Sequence, residues 1–152
     1  MAELVVRQDE LVVTVDPREK RSLTWFGLRK SRRKLLDGLE LRVPLAEVAG
    51  VRVSDSYWEL RDHMDIRNAM GDGQTRGTYQ PPDHQPWIGI YNVKEDGGWE
   101  KKLCVIHGQH SPVVVVDLDE ATKAPFAKLV ITVLPWQSDS VAASIKAAAG
   151  LT

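Results

Sequence analysis

The sequence lacks three features that would place it in a specialised class: paired cysteines, long apolar runs and an excess of one charge. Its 152 residues include a single cysteine, Cys104, which excludes an internal disulfide. No apolar run exceeds four residues, as at positions 113–116, whereas a membrane-spanning helix needs about 20. The N-terminal residues show no basic stretch followed by an apolar one, so we expect no secretory signal. We therefore predict a cytoplasmic protein.

The composition is that of a folded domain. Hydrophobic residues make up 43% of the chain and charged residues 27%, which are values close to the average of globular proteins. A chain of this length can bury an ordinary core without the help of disulfides or metals. We expect a single domain over residues 1–152.

Positive charge is concentrated in one stretch, residues 18–34, which we call the basic segment. The net charge is −1, yet this segment holds eight cations and one acid, whereas the rest of the chain has 12 cations and 20 acids. Such an asymmetry indicates a candidate binding surface for an anionic partner; the other interpretation is a solvated hairpin whose apolar side packs on the core. The candidate ligand-binding residues are Arg18, Lys20, Arg21, Trp25, Arg29, Lys30, Arg32, Arg33 and Lys34.

Several partner classes fit a basic segment that also carries aromatic residues. A protein partner or a second copy of the chain is the partner that we expect. An anionic membrane surface is the alternative, because aromatic rings lie at the headgroup level and cations attract acidic lipids; the protein would then be peripheral to the membrane. Nucleic acid is disfavoured, because a dedicated binder usually has a basic domain and this chain has a net charge of −1.

Short runs in which apolar and polar residues alternate predict about seven β-strands joined by hairpins. Residues 4–7 and 11–15 form an opening hairpin, and the turn signal at 96–98 joins two later strands. The run at 113–116 predicts a strand buried on both faces.

The chain ends differently, in an alanine-rich segment at 138–149 that predicts an amphipathic helix. Ser138 or Asp139 is expected to cap its start and Gly150 its end. Val141, Ile145 and Ala148 would form the buried face.

Two stretches stand apart from the strand pattern. Residues 18–38 form a basic insert of ambiguous structure, and residues 68–86 form a loop rich in glycine and proline. Loops of that length are usually functional or mobile. We expect both stretches to contribute contact surfaces.

Several stretches resemble the pleckstrin-homology-like (PH-like) fold, and in particular small actinobacterial proteins of unknown function. They are Leu41-Arg42-Val43-Pro44-Leu45, Trp87-Ile88-Gly89-Ile90, the His107-Gly108 turn with the run to Leu118, and the segment from Pro125 to Val133. The resemblance spans residues 39–149. It implies a seven-stranded antiparallel barrel or sandwich capped by a C-terminal helix, and a binding or assembly module that is not an enzyme.

A metal-dependent or histidine-based enzyme is the remaining alternative, and it would use His63, His107 or His110. Zinc needs three or four ligands within reach, and neither a Cys-x-x-Cys nor a His-Glu-x-x-His motif accompanies these residues. Whether they cluster with His84 does not follow from their spacing. We expect no metal, no cofactor and no catalytic residues.

Overall fold

The computed structural model of the chain describes residues 2–23, 36–55, 65–68, 87–95, 98–107, 111–120, 122 and 124–151. These residues contain ten strands and two α-helices. The strands are β1 (Glu3–Arg7), β2 (Glu10–Thr14), β3 (Leu36–Asp37), β4 (Glu40–Pro44), β5 (Val48–Ser54), β6 (Asp65–Asn68), β7 (Trp87–Glu95), β8 (Gly98–Ile106), β9 (Val113–Leu118) and β10 (Lys128–Thr132). The helices are α1 (Pro17–Leu23) and α2 (Ser138–Ala148), and 3₁₀ turns occupy Leu45–Glu47 and Pro135–Gln137.

The first four strands form an antiparallel sheet with the order β1-β2-β4-β3. Its opening hairpin is confirmed, because β1 pairs with β2 from Glu3↔Thr14 to Arg7↔Glu10. Strand β4 ends at Pro44, opposite Glu10 at the start of β2. The 3₁₀ turn that follows directs β5 into a second sheet.

The second sheet is mixed and has the order β5-β9-β10-β8-β7-β6. The hairpin around residues 96–98 is confirmed by the pairing of β7 with β8, which runs from Trp87↔Ile106 to Glu95↔Gly98. Strand β10 lies between β8 and β9, which are consecutive in the chain. It pairs parallel with β8, where Val130 is opposite Cys104, and antiparallel with β9, where Val130 is opposite Val115.

The mainly β architecture and the C-terminal helix are therefore confirmed, but the seven-stranded antiparallel barrel is not what the described residues form. They form two sheets of four and six strands, without a closed barrel. Two physical reasons account for the difference. The chain leaves the first sheet after β4 through the 3₁₀ turn at Leu45–Glu47, and β10 enters the second sheet between β8 and β9 instead of adding to an edge.

The main core lies between the inner faces of the two sheets. The four-stranded sheet contributes alternate residues such as Leu11 and Val13, and the six-stranded sheet contributes residues such as Leu103, Val114 and Ile131. Alternation places every second side chain on this face. The four residues 113–116 are all fully buried, which confirms the prediction of a strand covered on both faces.

Helix α2 packs against β1, β5 and β9 and so covers the open side between the sheets. Its buried apolar residues are Ala142 and Ile145, whereas Val141 is half-buried and Ala148 is exposed, so the expected face is rotated. The predicted N-cap is wrong, because the Ser138 hydroxyl donates to the Pro135 carbonyl over 3.2 Å and no side chain caps the helix.

The predicted C-cap of α2 is confirmed. Gly150 has a φ of 74°, and its N–H donates to the Ala147 carbonyl over 3.2 Å. The N–H of Leu151 donates to the Lys146 carbonyl over 2.8 Å, which completes a Schellman motif.

Candidate functional site

The structure describes three of the nine predicted binding residues. Arg18, Lys20 and Arg21 belong to α1, so the basic insert at 18–38 begins with a helix and ends with strand β3. Arg18 and Arg21 are exposed and Lys20 is half-buried. The other six, Trp25, Arg29, Lys30, Arg32, Arg33 and Lys34, lie outside the described residues, as do residues 69–86 of the predicted loop.

A capping box starts helix α1. The Asp16 carboxylate accepts the backbone N–H of Glu19 through Oδ1 over 2.8 Å, and Oε1 of Glu19 accepts the backbone N–H of Asp16 over 2.8 Å. Pro17 occupies the first helical position, where its missing N–H costs nothing. The local sequence Asp16-Pro17-Arg18-Glu19 carries this signal, although the sequence analysis left the structure of residues 18–38 ambiguous.

Helix α1 turns one face inward and the other outward. Glu19 and Leu23, four positions apart and therefore on one side of the helix, are both 0% exposed. Leu23 joins the main core. Arg18 and Arg21 face solvent. They lie on the side of the helix opposite the buried residues Glu19 and Leu23, which attach the helix to the core.

Glu19 holds α1 to the six-stranded sheet through His107. Its second carboxylate oxygen, Oε2, pairs with Nε2 of His107, the residue that follows β8. The backbone N–H of His107 donates to Oγ1 of the buried Thr132 in β10 over 3.1 Å. One carboxylate therefore caps a helix with one oxygen and contacts a sheet residue with the other.

The charges around this contact are arranged to keep Asp16 ionised. The backbone N–H of Glu19, which donates to the carboxylate, lowers the pKa of Asp16, and the nearby His107 acts in the same direction. A carboxylate that contacts an imidazole can also orient the ring for general-base chemistry. The His107 side chain is 23% exposed, so its ring retains access to solvent.

A cluster of charged side chains and a buried cysteine lie on the outer face of the six-stranded sheet. Nζ of Lys128 lies 3.3 Å from Oε2 of Glu100 and 3.5 Å from Oδ1 of Asp117. Beside them Cys104 is buried, and burial raises the pKa of its thiol to about 12. The thiol is therefore protonated at neutral pH and is a poor nucleophile.

The alternative of a metal-dependent or histidine-based enzyme can be compared with the structure at one histidine only. Of the four histidines, His107 is described, whereas His63, His84 and His110 lie outside the described residues. Within the part of the chain that is described, no three His, Cys, Asp or Glu side chains are grouped so that they could hold a metal ion. In that same part, neither helix has the length and apolar content needed to cross a membrane.

Comparisons with protein-family models, with curated proteins and with solved structures return no match for this chain. The resemblance to PH-like proteins stays a prediction.

Proposed function

We propose that this protein is a non-enzymatic binding module, located in the cytoplasm, whose basic segment contacts an acidic surface of a partner protein. The observation that carries this proposal is the attachment of α1. Because Glu19 is buried and bound on both oxygens, Arg18 and Arg21 are held outward on a fixed element. Cations on a fixed helix lose less entropy when they meet an anionic ligand than cations on a flexible chain.

The same helix favours a protein partner over a membrane. A helix that lies in a lipid interface exposes an apolar face. In α1 the apolar residue Leu23 is buried in the core, and the side chains of Arg18 and Arg21 are exposed. In the described part of the basic segment, residues 18–23, exposed charge without an exposed apolar stripe suits complementarity with another charged surface.

Two side chains of types that serve as catalytic groups in enzymes are engaged or buried in the described part of the chain. His107 contacts the carboxylate that caps α1, and the Cys104 thiol is buried with a raised pKa. The alternative of a histidine-based enzyme rests on the partial exposure of the His107 ring. We favour a positioning role, because the contact joins α1 to the end of β8.

The test compares two anionic probes, poly-L-glutamate and vesicles of phosphatidylcholine with phosphatidylserine. We expect salt-sensitive binding of poly-L-glutamate that weakens by about tenfold or more in an R18E/R21E variant, because each cation near an anionic surface contributes about 1 kcal/mol. The matched control is R52E/K101E, which reverses two exposed cations on β5 and β8. It should bind like the wild type.

Other outcomes would overturn the proposal. Binding to vesicles alone would replace the acidic protein surface with a membrane. Equal losses in both double variants would show a response to net charge and not to the basic segment. Absence of binding to either probe at low salt would remove the basic segment as an anionic-ligand surface.

A further inference from the structure

Strand β1 forms one edge of the four-stranded sheet. Its only strand partner among the described residues is β2, and helix α2 also packs against it. Its side chains alternate, so that Glu3, Val5 and Arg7 are exposed on the outer face while Leu4 is buried on the inner one. Val5 is 39% exposed, whereas Val12, which lies opposite it on β2, is 1% exposed. An edge strand of this kind can pair with another strand.

The hairpin determines which backbone groups of β1 face outward. Residues Gln8 and Asp9 form a two-residue turn, closed by the pair Arg7↔Glu10. Because closing pairs of such turns are hydrogen-bonded and the pattern alternates, the N–H and C=O groups of Leu4 and Val6 point away from β2. A strand added at this edge must therefore pair with Leu4 and Val6.

The sequence of β1 is complementary to itself in one arrangement. In an antiparallel pair centred on Val5, Leu4 lies opposite the partner copy's Val6, which brings the outward N–H and C=O groups of the two strands together four times. Val5 then lies opposite its own copy, and Glu3 lies opposite Arg7 on both sides of the axis. A parallel pairing would instead place Glu3 opposite Glu3 and Arg7 opposite Arg7, and like charges in direct opposition are destabilising.

Edge strands are usually protected from such pairing by charged residues. Here the two charges of β1 have opposite signs and are symmetric about Val5, so they favour the antiparallel pair. Arg7 donates through Nη1 to Glu40 over 2.8 Å, and its side chain stays 54% exposed, so further N–H groups can reach a second carboxylate.

We infer that the protein associates with a second copy of itself through β1, in an isologous dimer whose two four-stranded sheets join into one antiparallel sheet of eight strands. The two-fold axis passes beside Val5. This surface differs from the basic segment, so the inference does not depend on what that segment binds. The pairing uses one five-residue strand from each copy and belongs among the small, weak interfaces, with a dissociation constant of about 10–1000 µM.

The first test is a disulfide cross-link. Opposite residues in a non-hydrogen-bonded antiparallel pair have Cα atoms about 4.5 Å apart, which is within the range that a disulfide spans. A Val5→Cys variant should form a covalent dimer under mild oxidation, seen as a species of twice the chain mass. The control is Leu39→Cys, at a residue with the same 39% exposure that lies outside the strands. The native Cys104 is buried and does not compete.

The second test uses charge reversal in sedimentation velocity. E3R places cations opposite Arg7, and R7E places acids opposite Glu3, so each variant alone should dimerise at least about tenfold more weakly than the wild type. An equimolar mixture restores opposite charges at all positions and should recover association as heterodimers. V5K, which places two cations on the axis, tests the interface without changing Arg7.

The inference is overturned if the wild type stays monomeric over a series reaching about 1 mM, the upper end of the expected range of dissociation constants. It is also overturned if Leu39→Cys cross-links as readily as Val5→Cys, or if the mixture of E3R and R7E associates no better than each variant alone. Loss of association in a Trp136→Ala variant, with E3R unaffected, would assign the interface to that 76% exposed tryptophan instead.

Discussion

Glu19 and His107 are separated by 88 positions in the chain and meet through Oε2 of the glutamate and Nε2 of the histidine. The contact joins the helix that begins the basic segment to the end of the central strand β8. Since Glu19 also accepts the N–H of Asp16, one side chain links the start of α1, its inward face and the six-stranded sheet.

Removal of either partner should destabilise the fold. We expect Glu19→Ala to lower the free energy of unfolding by about 2 kcal/mol, because it removes half of a capping box and a buried hydrogen bond. His107→Ala should cost a similar amount, since it leaves the Glu19 carboxylate buried without the imidazole. Urea denaturation of both variants and of the double variant measures their coupling energy.

The control for this cycle is Glu120→Ala, at an exposed position, which should leave stability nearly unchanged. If the costs of the two single variants simply add in the double variant, Glu19 and His107 do not interact, and the proposed attachment of α1 is wrong.

Local features of the fold could be predicted from the sequence because they depend on neighbours in the chain. The alternation around Leu41 and Val43, the hairpin of β1 and β2, and the cap at Gly150 each follow from a few adjacent residues. The capping box at Asp16 and Glu19 is also a local signal, but it was not among the predictions made from the sequence.

The remaining features depend on residues that are distant in the chain. Nothing in the local pattern of β10 indicates that it pairs with β8 in parallel and separates β8 from β9. Likewise, no residue near Glu19 or His107 in the chain indicates that these two side chains are in contact. The sequence therefore predicts the candidate site as a charged segment, but it does not predict that α1 is attached to the six-stranded sheet.

Gln8 provides a prediction about the opening hairpin. It has a φ of 57°, the single positive value among the described non-glycine residues, at the first central position of a two-residue turn. This is the pattern of a type II′ turn, in which glycine is preferred at that position. We expect Gln8→Gly to raise the free energy of unfolding by about 0.5–1 kcal/mol, because relief of a strain of about 1–2 kcal/mol exceeds the entropy that glycine adds to the unfolded chain.

Asp9→Gly is the matched control, because Asp9 lies in the same turn without a positive φ. It should be neutral or destabilising in the same denaturation assay. A Gln8→Gly variant less stable than the wild type would show that the turn tolerates glutamine without strain.

The ion pairs on the outer face of the four-stranded sheet predict that the stability of the fold decreases at acid pH. Glu40 accepts Nη1 of Arg7 over 2.8 Å and Nη2 of Arg42 over 2.8 Å, and Val12 is 1% exposed on the strand between these arginines. The hydrogen bond from Arg7, followed by that from Arg42, lowers the pKa of Glu40. A lowered carboxyl pKa stabilises the fold above the pKa of the unfolded chain, and the contribution disappears as the pH falls through the folded value.

A Glu40→Gln variant should therefore be less stable than the wild type at neutral pH, and the difference should close in acid. Thermal unfolding from pH 7 down to about pH 2 measures this convergence. Glu120→Gln should give a curve parallel to that of the wild type. A difference between Glu40→Gln and the wild type that stays constant with pH would mean that the ionisation of Glu40 does not contribute.

The buried thiol gives a measure of how the six-stranded sheet opens. Cys104 lies in β8 between β7 and β10, and burial raises its pKa to about 12, so both access and ionisation oppose its reaction. We expect iodoacetamide at pH 8 to leave the folded protein unmodified by mass spectrometry while it alkylates the urea-unfolded chain within minutes. Because a thiol in this position reacts only when the sheet opens, Glu19→Ala should accelerate alkylation, if opening is global, by the same factor by which it raises the equilibrium constant for unfolding. Rapid modification of the wild type under native conditions would contradict the burial of Cys104, and with it the packing of the outer face around Val115 and Val130.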